Sequence, residues 1–158
     1  MKNRGFSLVE LLIVIFIIGV IAAIAVPQYG QMMRRKAIEK QMRELQSDIS
    51  NFRLSAMHTK EQRTIQLGPR VVQFVTAAGV TTKNLTYEIQ RGFATGAPLQ
   101  VFNLAVDAIA FDERGYTNDN TTIVAVPVDI AGSDNCLVVH TARTNIGRMI
   151  DATNCQAR

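Results

Sequence analysis

Residues 6–26, FSLVELLIVIFIIGVIAAIAV, are apolar at 18 of 21 positions, the exceptions being Ser7, Glu10 and Gly19. Helical, at about 1.5 Å per residue, such a run reaches roughly 30 Å, the hydrocarbon thickness of a bilayer. It reads as a membrane segment at the N-terminus. Of all 158 residues 47% are hydrophobic and 19% charged; without residues 6–26 the hydrophobic share falls to about 41%, ordinary for a soluble domain. Those values exclude a disordered chain, a collagen and a disulfide-dense toxin, and the length excludes a large multidomain enzyme.

Lys2 and Arg4 precede the run, and Ala23-Ile24-Ala25 near its end has the small-residue pattern of a signal-peptidase site. A secretory signal peptide is therefore one reading. Against it, the apolar run exceeds the 7–15 residues of a signal-peptide core, and it contains Glu10. A carboxylate in an apolar span costs about 3 kcal/mol near the bilayer centre and less near an interface. Glu10 lies about one turn from the basic leader, where headgroups or water relieve it in a lone monomer. In an apolar assembly the same carboxylate calls for a cationic partner, and a charge-assisted pair there would set register between subunits.

From Gln28 to about Gln62 there is no proline and one glycine, Gly30. Apolar residues fall at Ile38, Met42, Leu45, Ile49, Phe52 and Ala56, spaced 4, 3, 4, 3 and 4, the stripe of an amphipathic helix. That face is expected to pack on the C-terminal domain. Glu39 and Arg43, like Lys40 and Glu44, stand at i,i+4 spacing on the remainder. Joined to the apolar run, this predicts a helix of more than fifty residues, bent at Pro27, where a main-chain hydrogen bond is lost. Arg34-Arg35-Lys36 competes with Lys2 and Arg4 as an orientation signal, so charge alone leaves topology open. The cluster could touch lipid headgroups in a stored monomer, or acids on adjacent subunits.

Beyond Gln62 the period shortens to β-rich runs at 64–67, 71–76, 85–90, 99–106, 109–112, 122–128, 136–141 and 146–150, separated by Gly, Pro and Asn. The connections are too short for helical crossovers, so the sheet is expected to be antiparallel. Asp112-Glu113-Arg114-Gly115 reads as a hairpin loop with Gly115 left-handed. Cys136 and Cys155 are the only cysteines. In an exported head they are expected to pair, a loop closure worth about 3 kcal/mol; two buried thiols are the alternative. The fold class is therefore α+β: a long N-terminal helix, half transmembrane and half amphipathic, packed on an antiparallel β-sheet head. Its divisions are 1–5, 6–26, 27–62 and 63–158.

Lys2-Asn3-Arg4-Gly5 followed by Phe6-Ser7-Leu8-Val9-Glu10 and the apolar run resembles the class III leader of type IV prepilins and type II secretion pseudopilins. The resemblance implies cleavage between Gly5 and Phe6 by a prepilin peptidase and methylation of the new Phe6 amine. It also implies a pair between Glu10 and the Phe6 amine of a neighbouring subunit. Gly19 and Pro27 match positions where that family bends or melts its helix. The implied setting is the inner membrane, crossed once with the head outside the cytoplasm, then a pilus or periplasmic pseudopilus built on an inner-membrane assembly platform. Residues 45–150, with Ala110 to Gly115 and Leu137 to Arg143, resemble in outline the GspH/FimT-type minor pilins. A C-terminal cysteine pair is similar to that of many type IV pilins and is missing from major pseudopilins.

FimT-like pilins bind DNA through a basic C-terminal Gly-Arg-x-Arg element, so a DNA-binding uptake pilin is a rival. Here the candidates are Arg143 and, in Gly147-Arg148, Arg148, within residues 64–158, which carry seven bases against eight acids. A solvated surface is the expected role for both. His58 and His140 have no Cys or carboxylate at ligand spacing. Asp112, Asp119, Asp129 and Asp134 lie in or near loops without calcium-loop spacing, and are expected to be solvated acids. With no phosphate-cradling loop and no serine elbow, the expectation is a structural filament subunit, minor pilin or pseudopilin, with no enzymatic activity, metal or cofactor. The alternatives are the DNA-binding pilin and a secreted β-domain with an ordinary signal peptide.

Overall fold

A computed structural model describes residues 7–92, 98–127, 134–150 and 154–157, less the side chain of Pro27. The chain divides into two compact units, residues 1–35 and 36–158. Helix α1 is assigned over Leu8–Thr59, 52 residues, and continues through positions 19 and 27 without a break. It stops three residues before Gln62 because Lys60 turns left-handed, with φ 57°, and the Glu61 N–H reaches back to the Ala56 carbonyl at 3.3 Å.

Among the described residues ten strands follow: β1 Arg63–Leu67, β2 Val71–Thr76, β3 Gly79–Asn84, β4 Ile89–Gly92, β5 Gln100–Val101, β6 Ala108–Phe111, β7 Thr121–Ala125, β8 Cys136–Val139, β9 Thr144–Met149 and β10 Cys155–Ala157. Every pairing among them is antiparallel. They form two sheets, ordered β3-β2-β1-β6 and β10-β9-β8-β7-β4-β5.

The stem stripe packs as its spacing predicts: Ile38, Met42, Leu45, Ile49 and Ala56 are fully buried, and Phe52 packs at their margin. Both sheets send alternate residues to the same core. Ile65 and Leu67 of β1 and Ile109 and Phe111 of β6 come from the first, and Ile123, Leu137 and Val139 of β7 and β8 from the second. The opposite face of the second sheet keeps a smaller cluster of Val124, Cys136 and Met149, with Leu99 and Cys155 beside it.

Four expectations need correction. The run 99–106 contains only the two-residue β5, because Asn103 folds the chain back. Its carbonyl accepts from Val106 and Asp107, its side chain accepts from Ala105, and its own N–H goes to Asp107 Oδ2. The run 85–90 is displaced to Ile89–Gly92, since Leu85 still closes the β2–β3 hairpin on Arg70 and the Gln41 amide takes both the N–H and C=O of Tyr87 at 2.9 Å. Strands β3 and β10 lie outside every expected run; both are mostly exposed, and β10 has only three residues. Finally, the turn at Asp112 has the expected left-handed glycine, Gly115 with φ 76°, but it does not join paired strands. It carries the chain from β6 in the first sheet to β7 in the second.

Candidate functional site

The N-terminal end of α1 holds Glu10, the acid expected to serve subunit assembly. Ser7 stands just before the helix, and its carbonyl accepts the Leu11 N–H at 3.2 Å, which makes it the N-cap. Glu10 falls in the first turn, three residues on, at the Ser-x-x-Glu spacing of a capping box. A carboxylate there meets the positive end of the helix dipole, worth about 0.3–1 kcal/mol at an exposed site. So the acid that is costly in lipid is favoured by its place in the helix. Gly5 and Phe6, the expected processing pair, lie outside the described residues.

From Leu8 to Val26 every large hydrophobic side chain is exposed, so this surface is satisfied by nothing in its own unit. The helix is long and apolar enough to cross a membrane. At Gly19 an added Cβ would meet nothing within 4 Å, so no packing within the chain demands glycine there.

Cys136 and Cys155 are bonded, with Cα atoms 6.1 Å apart. The bond ties the first residue of β8 to the first of β10, with β9 paired between them. Gly147 of β9 faces Cys136 on one side and Ala157 on the other, and a Cβ on it would run into the Gln156 carbonyl. This glycine thus has a packing reason: it lets β10 lie close. Its neighbour Arg148 is half-buried in β9, while Arg143 is exposed in the β8–β9 turn, where its carbonyl accepts the His140 N–H. Five residues of extended chain separate the two arginines, about 16 Å at strand rise.

The loop acids are more engaged than expected. Asp134 is buried, accepts from Arg43 Nη2 at 2.8 Å and has its backbone N–H directed at Glu39 Oε1, 3.4 Å away. Both stem residues therefore serve the head rather than each other, whereas Lys40 and Glu44 approach to 3.8 Å on the surface as their spacing suggests. Asp112 Oδ1 accepts from Arg114 and Tyr116, and Asp119 Oδ2 from Ala110. Asp129 lies outside the described residues. His58 and His140 are both exposed, and no group of three or more potential metal ligands occurs among the described residues.

Arg53 lies on the stem part of α1, three residues before Ala56. It is buried, donates through Nη2 to the His140 carbonyl at 3.0 Å and stacks 5.0 Å from the centre of the Phe111 ring. Burial lowers its pKa from the usual arginine value. A Cβ at Gly115 would stand 3.0 Å from its Cγ, so the left-handed glycine also makes room for the arginine. Arg53 fastens the stem to both sheets.

Residues 1–26 match the family model described as the prokaryotic N-terminal methylation motif. The type IV major pilin protein PilA of Myxococcus xanthus (strain DK1622) is 28% identical over 98% of this chain and 70% of its own length. A type IV major fimbrial protein FimA of Dichelobacter nodosus is 35% identical over 49% of each chain. A fimbrial protein of Pseudomonas aeruginosa is 34% identical over 55% of this chain and 47% of its own. The matches thus span about half the length of the latter two relatives. No solved structure matches the chain at comparable significance.

Proposed function

The chain belongs to the type IV pilin superfamily, and from that premise we propose that it is a membrane-stored structural subunit of a type IV filament. The observation that carries this reading is an N-terminal methylation motif continuous with a helix apolar around its whole circumference and exposed from Leu8 to Val26. A prepilin peptidase cleaves between Gly5 and Phe6, and the Phe6 amine is methylated. The subunit waits in the inner membrane with its head outside the cytoplasm. On assembly the apolar helix exchanges lipid for the helices of other subunits, at little hydrophobic cost because both surroundings are apolar.

Glu10 supplies direction to that exchange. In the helical bundle its carboxylate pairs with the Phe6 amine of a neighbour, and a charge pair in an apolar medium holds one register far better than apolar contact does. Gly19 and Pro27 are the positions where the helix yields as it enters the bundle, since a glycine without packing and a proline without an N–H cost least to deform. Whole-chain similarity to a protein named a major pilin, together with the Cys136–Cys155 bond, favours a pilus over a secretion pseudopilus. The separation of Arg143 from Arg148 weighs against a DNA-binding role.

Glu10→Ala is expected to leave the chain in the membrane fraction, where the apolar run holds it, while its share of sheared filaments drops at least tenfold, about 1.4 kcal/mol or more of assembly free energy. Wild-type incorporation of Glu10→Ala would remove the pairing mechanism.

A further inference from the structure

Among the described residues the two sheets end in four edge strands, β3, β6, β5 and β10. Proteins blunt such edges by keeping them short or covering their free backbone groups. β5 and β10 have two and three residues, and on β6 the Ala110 N–H is taken by Asp119. β3 differs. It has six residues, mostly exposed, and pairs with β2 alone. Its one charge, Lys83, does not guard the edge, because the ammonium is turned to Asp48 and Glu44 on the stem. The Leu85 N–H points to Arg70 beside β2, so by antiparallel alternation the N–H and C=O groups of Val80, Thr82 and Asn84 point outward.

Beside this edge the stem and hairpin leave an open groove of about 470 Å3. Its floor is Phe52 and Phe74, packed edge to face at 5.1 Å, and Asn51, Ser55 and Thr81 line its sides. With Lys83 paired to Asp48, the groove presents no free charge. A neutral apolar segment fits it, and the chain owns one on a different part of the head. β5 and the turn after it, within the uncharged residues 98–106, expose Val101 at 59% and Val106 at 75%.

We propose that residues 100–106 of one copy seat in the Phe52/Phe74 groove of the next, with β5 running along the free edge of β3. Knob and groove are different patches of one surface. Their union is therefore heterologous, and it repeats as an open helix where its rotation does not close a ring, a symmetry that a filament needs and a twofold dimer lacks. The proposal rests on the filament role above and adds a contact between head domains to the helix contacts.

The test uses the full-length chain in assembling cells, with a short bismaleimide as crosslinker. A Ser55→Cys, Val106→Cys double variant is expected to give a ladder of covalent multimers. The two single variants coexpressed give dimers only, and each alone gives monomers. Thr82→Pro removes an outward N–H without touching the β2 ladder, a change edge strands accept; it is expected to lower filament yield with head melting unchanged, and Thr82→Val to assemble normally. Filaments that form without the ladder, or normal assembly of Thr82→Pro, overturn this contact and leave the filament role standing. Thr82→Cys chains that crosslink to each other reveal a twofold β3 pairing and likewise overturn it. A wild-type chain that forms no filament overturns both readings.

Discussion

Two stretches of one helix are both rich in apolar residues and meet opposite fates. Between Leu8 and Val26 the large hydrophobic side chains are 45–79% exposed, whereas five stem residues from Ile38 to Ala56 are fully buried against the sheets. Arrangement makes the difference. The first stretch is apolar on all sides, which no single packed face can satisfy. The second confines its apolar residues to one stripe and leaves Lys36, Lys40 and Glu44 to water. A stripe finds its partner within its own chain; an all-round apolar helix must find lipid or other helices. Stability of the head and competence to assemble are therefore separable properties of one continuous element.

Paired substitutions break or sharpen that separation. Leu45→Ala is expected to destabilise the head by about 2–5 kcal/mol, since it opens a cavity in a fully buried site. Leu12→Ala, the same chemistry on the exposed stretch, is expected to leave head melting within about 0.5 kcal/mol of wild type while weakening filaments. Thermal melts of the detergent-solubilised chain read the first effect and sheared-filament yield the second. Equal effects of the two changes on melting would erase the distinction. Gly147→Ala is next, at about 1–3 kcal/mol, because its methyl group meets the Gln156 backbone and must push β10 away; amide exchange of Gln156 reports the displacement. The smallest expected effect is a gain. Lys60→Gly relieves a left-handed residue at the helix end and is expected to raise head stability by about 0.5–1 kcal/mol without altering membrane retention.

The periodic features were legible because burial enforces them. The 4-3-4-3-4 stripe from Ile38 to Ala56, the strands expected at 64–67 and 71–76 and the left-handed Gly115 all appear where the sequence places them. The expected cysteine pair is likewise bonded. What escaped is governed by partners distant in sequence or by backbone geometry. β3 is written in exposed threonines and held by β2, so it carries no apolar signal of its own. Asp134 reads as one more loop acid until Arg43, 91 residues away, is seen to pair with it. Gly147 looks like half of a basic motif, and only the approach of β10 explains it. At the candidate site, Glu10 was conspicuous because a charge in an apolar run has a cost. Ser7, whose role is purely local capping, was not.

The central claim is that residues 1–5 are a leader whose removal creates the amine that Glu10 needs. Mass analysis of the N-terminal peptide of the mature protein, recovered from membranes or filaments, tests it most directly. The account predicts a chain beginning at Phe6 with one methyl group on its amine. A mature chain beginning at Val26, or one that retains Met1 through Gly5, would contradict it.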